Sequence, residues 1–129
     1  MSNPRIFLVD NDPYVLETVA QILKPTFEIV GRCSDGQALL EAATKSNPDV
    51  IVMDISMPVL NGIAAANKLK ELGLSSRIVF LTVHEDRDFI DTCLATGALG
   101  YVTKPRMDLD LVTAIQDALK GRTFVSEIS

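Results

Sequence analysis

Val50-Ile51-Val52-Met53-Asp54-Ile55-Ser56-Met57-Pro58-Val59-Leu60-Asn61-Gly62 opens on four apolar residues and then meets a carboxylate and a proline. Val50–Met53 is too short for a stable helix, and three of its four residues are β-branched, so it reads as a strand. No polar residue interrupts it. A strand with no polar face is covered on both sides, as in a parallel sheet with helices above and below. Ile6–Val9 and Ile78–Leu81 share this character, and Phe27–Val30 and the short Tyr101–Val102 complete a set of five strand candidates.

Amphipathic segments with readable ends lie between them. Asp12 is placed to cap a first helix, with Pro13 where a missing N–H costs nothing and Val15, Val19, Ile22 and Leu23 on one stripe. Asp35 precedes a second helix carrying Leu39, Leu40 and Ala43, stopped by Asn47-Pro48. Asn61 opens a third, where Ile63, Ala66, Leu69 and Leu72 repeat at helical spacing before Gly73. Phe89, Ile90, Cys93 and Leu94 mark a fourth, ended by Gly97. Asp108 opens a fifth, with Leu111, Val112, Ile115, Ala118 and Leu119 inward before Gly121. Five βα units with right-handed crossovers make an α/β, doubly wound, five-stranded parallel sheet with five helices.

The chain has 129 residues, enough to bury a full core as one domain spanning 1–129. No apolar run approaches a membrane span, and the start resembles no export signal, so a cytoplasmic location is expected. The net charge of −5 and scattered basic residues argue against direct nucleic-acid contact. Cys33 and Cys93 match no metal or redox spacing and read as reduced, packed thiols.

Ligands of such sheets bind beyond the carboxyl ends of the strands. Asp10, Asn11 and Asp12 follow the first strand, Asp54 the third, Thr82 the fourth, and Thr103-Lys104-Pro105 the fifth. Singly, each has a bland explanation: Asp12 as a cap, Thr82 as local hydrogen bonding, Lys104 as solvated surface. Jointly they place acid, hydroxyl and ammonium on one rim. Crowded carboxylates call for a hard divalent cation such as Mg²⁺, and a carboxylate oxygen beside it can accept a phosphoryl group. A hydroxyl and an ammonium then complete a cradle for the phosphoryl oxygens.

With these residues in hand, the chain resembles the receiver domains of two-component response regulators. Val52-Met53-Asp54-Ile55-Ser56-Met57-Pro58 with Gly62 resembles their phosphoacceptor motif, and Phe80-Leu81-Thr82 and Gly100-Tyr101-Val102-Thr103-Lys104-Pro105 resemble the later motifs. Asp10-Asn11-Asp12-Pro13 and Ala118-Leu119-Lys120-Gly121-Arg122 look most like the NarL/FixJ subfamily, which carries a LuxR-type helix-turn-helix. The resemblance implies a flavodoxin-like, CheY-like strand order 2-1-3-4-5. It implies Asp54 as phosphoacceptor, served by a sensor histidine kinase. Asp10, Asn11, Asp54 and the Ser56 backbone carbonyl would surround Mg²⁺, while Thr82 and Lys104 would bond phosphoryl oxygens. Tyr101 would move inward as Thr82 shifts, and the Lys104-Pro105 bond is expected to be cis. The face of the fourth helix, fifth strand and fifth helix is the implied output surface, and its mixed charge suits either a homodimer or a solvated face, with residues 122–129 as the start of a linker toward a DNA-binding domain. Such a protein is a switch, not an enzyme with a substrate of its own, although it catalyses its own phosphotransfer and dephosphorylation.

Two residues depart from the family pattern. Asn11 stands where most members have a second carboxylate, which predicts weaker Mg²⁺ binding, and branched Val83 follows Thr82 where Ala or Gly is common. Two other functional readings stay open at this point. Asp10-Asn11-Asp12 fits the DxD of haloacid-dehalogenase-type phosphatases with Asp10 as nucleophile, although Pro13-Tyr14 and the lack of a cap segment fit poorly. Asn11 also admits a receiver-like interaction module that works without phosphate.

Overall fold

The computed structural model describes residues 3–128. Its elements follow the expected alternation: β1 (Arg5–Val9), α1 (Pro13–Leu23), β2 (Glu28–Cys33), α2 (Gly36–Ser46), β3 (Val50–Met53), α3 (Gly62–Glu71), β4 (Arg77–Thr82), α4 (Arg87–Ala95) and β5 (Gly100–Thr103). A 3₁₀ turn over Lys104–Arg106 leads into α5 (Met107–Leu119), and a short β6 (Phe124–Val125) follows. The order across the sheet is β2-β1-β3-β4-β5-β6, and every neighbouring pair is parallel. The expected order 2-1-3-4-5 holds, but the sheet has six strands rather than five.

Alternation along the strands divides the core in two. Ile6, Leu8, Val50, Val52, Val79, Leu81 and Val102 face α1 and α5, where Leu16, Val19, Leu23, Leu111, Ile115 and Ala118 meet them. Phe7, Val9, Ile51, Met53, Phe80 and Tyr101 face α2, α3 and α4, against Leu39, Ala65, Leu69, Ile90 and Cys93. Both faces of β1, β3 and β4 are therefore dry, which is why their sequences lack an interior polar residue.

Side-chain caps fix three helix starts. Asp12 accepts from the Tyr14 amide, Asp35 from Ala38 and Asn61 from Ala64, at 2.9, 2.8 and 2.9 Å. Gly73, Gly97 and Gly121 take positive φ just past their helices, as their positions suggest. Asp108 instead lies inside the first turn of α5, because the 3₁₀ turn has already started the helical path. Leu72, expected on the inner stripe of α3, is an exposed C-cap, and Ala65 joins the expected Ala66 and Leu69 on the buried face.

β2 runs to Cys33, beyond the expected Val30. As an edge strand it tolerates Gly31 and Arg32, which read as a loop by composition. A Cβ on Gly31 would come 2.6 Å from the Phe7 ring, so this position needs the smallest residue. Both cysteines are free thiols, and burial pushes Cys33 up to about 11 and Cys93 to about 12, leaving them protonated and inert at neutral pH. Among the described residues no helix is long and apolar enough to cross a membrane.

Candidate functional site

The carboxyl ends of β1, β3, β4 and β5 deliver the four expected side chains to one place. Asp10 follows β1 and is 3% exposed; Asp54 follows β3 and is 6% exposed. Lys104 reaches across from the end of β5, with Nζ 2.9 Å from Asp10 Oδ2 and 3.3 Å from Asp54 Oδ2. Thr82, fully buried, ends β4. The Lys104-Pro105 bond is trans, since the described residues contain no cis peptide bond. The expected cis bond is thus absent, and the ammonium reaches both carboxylates from a trans peptide.

Local backbone chemistry holds Asp54 in position. Its amide donates to the Val9 carbonyl at 3.0 Å, and its Oδ1 accepts from the Ile55 amide at 2.7 Å. The following loop folds back so that the Gly62 amide donates to the Ile55 carbonyl at 2.7 Å. A Cβ on Gly62 would run into the Asp54 carbonyl, so the family motif's glycine marks a backbone-on-backbone contact. Val59 in the same loop adopts φ 69°, a left-handed conformation that branched side chains avoid.

The electrostatics are unbalanced. Burial, and next the neighbouring Asp10 charge, raise the Asp54 carboxyl above the usual range, against the pull of Lys104 and the Ile55 amide. Burial works against the Lys104 ammonium as well, yet its contact with Asp10 and the field of both carboxylates win, and its pKa is raised. Asp10 Oδ1 accepts from the Asp12 amide at 2.9 Å. Its Oδ2 is buried and, although Lys104 lies close, receives no well-directed hydrogen bond. The contact is an ion pair of poor angle.

That orphaned oxygen tests the fit of a cation. Two buried carboxylates share one ammonium, and an anionic oxygen lacks a proper donor; a hard divalent ion suits this donor set. Among the described residues no three of His, Cys, Asp and Glu gather closely enough to hold a metal by themselves. A cation held here would need neutral oxygens to complete its shell; Asn11 and Ser56, expected to supply them, are both exposed. Asp12 is exposed and spends a carboxylate oxygen on capping α1, which weakens the DxD phosphatase reading.

His84, the chain's single histidine, bridges the ends of β4 and β5. Its amide donates to Thr82 Oγ1 at 3.2 Å, and its carbonyl accepts from the Tyr101 hydroxyl at 2.7 Å. Its ring stacks on Phe89 with centroids 4.1 Å apart, and Nε2 lies 3.2 Å from Ser56 Oγ. The only signal in the sequence was a lone histidine two residues past Thr82. Tyr101, expected to move inward, is already fully buried, and burial, with nearby Cys93 and acidic charge, raises its hydroxyl pKa well above the ordinary value. Val83 projects into solvent at the lip of the site, 63% exposed.

Comparison with known proteins agrees with this geometry. The response regulator receiver domain family matches residues 6–116. The nitrate/nitrite response regulator protein NarL of Escherichia coli K12 is 36% identical over 124 residues, covering 95% of this chain and 57% of that protein. A LuxR-family two-component response regulator from Aurantimonas sp. SI85-9A1 superposes with a TM-score of 0.89 at 32% identity, covering 95% of this chain and 89% of that one. The isolated receiver domain of RcsB from Salmonella enterica serovar Typhimurium, solved with the phosphomimetic BeF₃⁻, gives 0.89 at 27% identity, covering 98% and 95%. The chain spans about half the length of the curated relatives it matches. With Asp10, Asp54, Thr82 and Lys104 gathered at the strand ends in the CheY-like order, the chain belongs to the receiver domain family of two-component response regulators.

Proposed function

We propose that Asp54 accepts a phosphoryl group from the phosphohistidine of a sensor histidine kinase. One carboxylate oxygen attacks phosphorus, the P–N bond breaks as the P–O bond forms, and the leaving imidazole takes up a proton. The contact of one ammonium with two buried carboxylates carries this reading: Lys104 lies 2.9 and 3.3 Å from Asp10 and Asp54 and can follow the new negative charge. Thr82, whose Oγ1 accepts from the His84 amide, keeps its proton free to donate to a phosphoryl oxygen. Asp10, Asn11, Asp54 and the Ser56 carbonyl would hold Mg²⁺, which supplies charge neutralisation when bound. The same site would hydrolyse the acyl phosphate and reset the switch.

Exposed apolar side chains support a protein phosphodonor. Tyr14, Val59, Val83 and Leu109 are 84, 82, 63 and 71% exposed, and each belongs to the segment following a different strand end. On the segments that leave the site's strand ends, they offer apolar surface suited to a helical partner carrying the phosphohistidine. Residues 1–129 would act as one receiver unit in a longer transcription regulator, as the names of several relatives suggest, with a DNA-binding domain beyond it. Its output would pass through a dimer formed by α4, β5 and α5. Sedimentation with and without phosphodonor tests that dimer, and an unchanged mass would remove it.

The decisive experiment is incubation with acetyl phosphate and Mg²⁺ followed by intact mass. The wild type should gain one phosphoryl increment and Asp54→Ala none. Equal labelling of both would place the acceptor elsewhere, and no labelling of either would favour a phosphate-independent module.

A further inference from the structure

Ser126, just past β6, is 2% exposed although it belongs to a C-terminal segment that reads as a linker. Its amide donates to the Tyr101 carbonyl and the Phe124 amide to the Leu99 carbonyl, both at 2.8 Å. Its hydroxyl donates to Asp110 Oδ2 at 2.7 Å and accepts from the Thr103 amide at 3.2 Å. Asp110 is itself buried and is gripped by Arg106, Nε to Oδ2 at 2.9 Å. Strand end, 3₁₀ turn and α5 thus all converge on one serine. Their contacts flank Lys104, whose ammonium lies on Asp10 and Asp54.

We infer that Ser126 is a latch fastening the C-terminal segment to β5, and that phosphorylation of Asp54 opens it through Lys104. The coupling rests on the phosphoacceptor reading above. A phosphoryl group adds charge of about −1.5 to −2 and sets its oxygens farther out than the carboxylate they replace. Lys104 follows those oxygens. Its backbone has little slack, because the Met107 amide bonds the Lys104 carbonyl and closes the turn. Displacement therefore reaches Thr103 on one side and Arg106 on the other. The Thr103–Ser126 bond, at the long end of the hydrogen-bond range, breaks first. β6 pairs only Phe124 and Val125 with β5, and these two side chains are only partly buried against the core, so Ser126 is the fully buried anchor of this segment and its release loosens the strand. The signal then leaves through the main chain itself, as freedom gained by Glu127 and Ile128.

Residue-resolved amide exchange on the isotope-labelled chain tests this, with and without acetyl phosphate and Mg²⁺, while intact mass reports phosphoryl occupancy. Phosphorylation should speed exchange at Phe124 and Ser126 on the order of tenfold, the loss expected for a charge-assisted bond. The Leu99 amide, bonded to Ile78 within the sheet, should change less than about twofold. Ser126→Ala should give the faster exchange without phosphodonor, and Ser126→Thr should restore protection. Unchanged exchange at both amides in fully phosphorylated protein overturns the coupling, and slow exchange in unphosphorylated Ser126→Ala overturns the latch. Failure of the wild type to take up phosphoryl overturns the phosphoacceptor reading and removes the coupling with it, while the Ser126→Ala arm still judges the latch alone.

Discussion

Replacing Lys104 with methionine removes one charge while keeping most of the side-chain volume, and leaves two buried carboxylates facing each other. The ammonium side chain is 17% exposed and its partners 4 and 7%. At an effective dielectric of ~20, the contacts of 2.9 and 3.3 Å are worth about 6 and about 5 kcal/mol of gross attraction. Most of that is offset by desolvation of three charged groups, whereas breaking a buried pair typically costs ~3–5 kcal/mol. Partial exposure of Lys104 and the ability of Asp54 to take a proton bring the expected loss near neutral pH to ~2–3 kcal/mol. The pH dependence has a definite sign. Lys104 has a raised pKa, so in the wild type its contribution is intact at neutral pH and is lost only as pH rises through that alkaline value. Asp54 is already raised by burial and then by Asp10, and without Lys104 it rises further. A carboxyl raised in the folded state binds its proton more tightly there, so the variant regains stability as pH falls through that folded pKa. Urea unfolding followed by circular dichroism, at neutral pH and near pH ~5, measures the difference. A loss that is identical at the two pH values, or below ~0.5 kcal/mol, would show the ammonium to act as an ordinary surface charge and would refute the reasoning.

Three further outcomes follow from the site. Gly62→Ala should destabilise by ~2–3 kcal/mol and slow labelling of Asp54, because the new methyl runs into the Asp54–Ile55 backbone; wild-type labelling in a folded variant would count against that contact. Asn11→Asp should bind Mg²⁺ more tightly in a calorimetric titration while lowering stability in EDTA by ~1 kcal/mol through added repulsion; equal affinities would remove Asn11 from the shell. Val83→Ala should speed phosphotransfer or hydrolysis by clearing the lip of the site, and unchanged rates in stopped-flow measurements would show that this exposed side chain leaves the approach open.

Strands dry on both faces were legible because their sequences have no alternative use, and β1, β3 and β4 lie where their apolar runs place them. Edge strands were less so. Gly31 and Arg32 look like a turn until Phe7 is seen to cover the glycine, and Phe124-Val125 pairs with β5 through backbone that carries no compositional mark. Asp10, Asp54, Thr82 and Lys104 were readable because strand ends of a parallel sheet share one edge. The position of Lys104 between the acids, the burial of the Tyr101 ring and the four-way role of His84 were not. Each depends on contacts between residues far apart in the chain, and His84 acts largely through its amide and carbonyl, which every residue possesses.

Parity along β5 has a directional consequence. Tyr101 points into the half-core of α2, α3 and α4, while Val102 beside it points toward α1 and α5. A ring that changed rotamer there would press first on the layer of α2, α3 and α4, because its own side chain does not reach the other half-core. Sliding this strand by a single residue would turn the ring toward α1 and α5 instead.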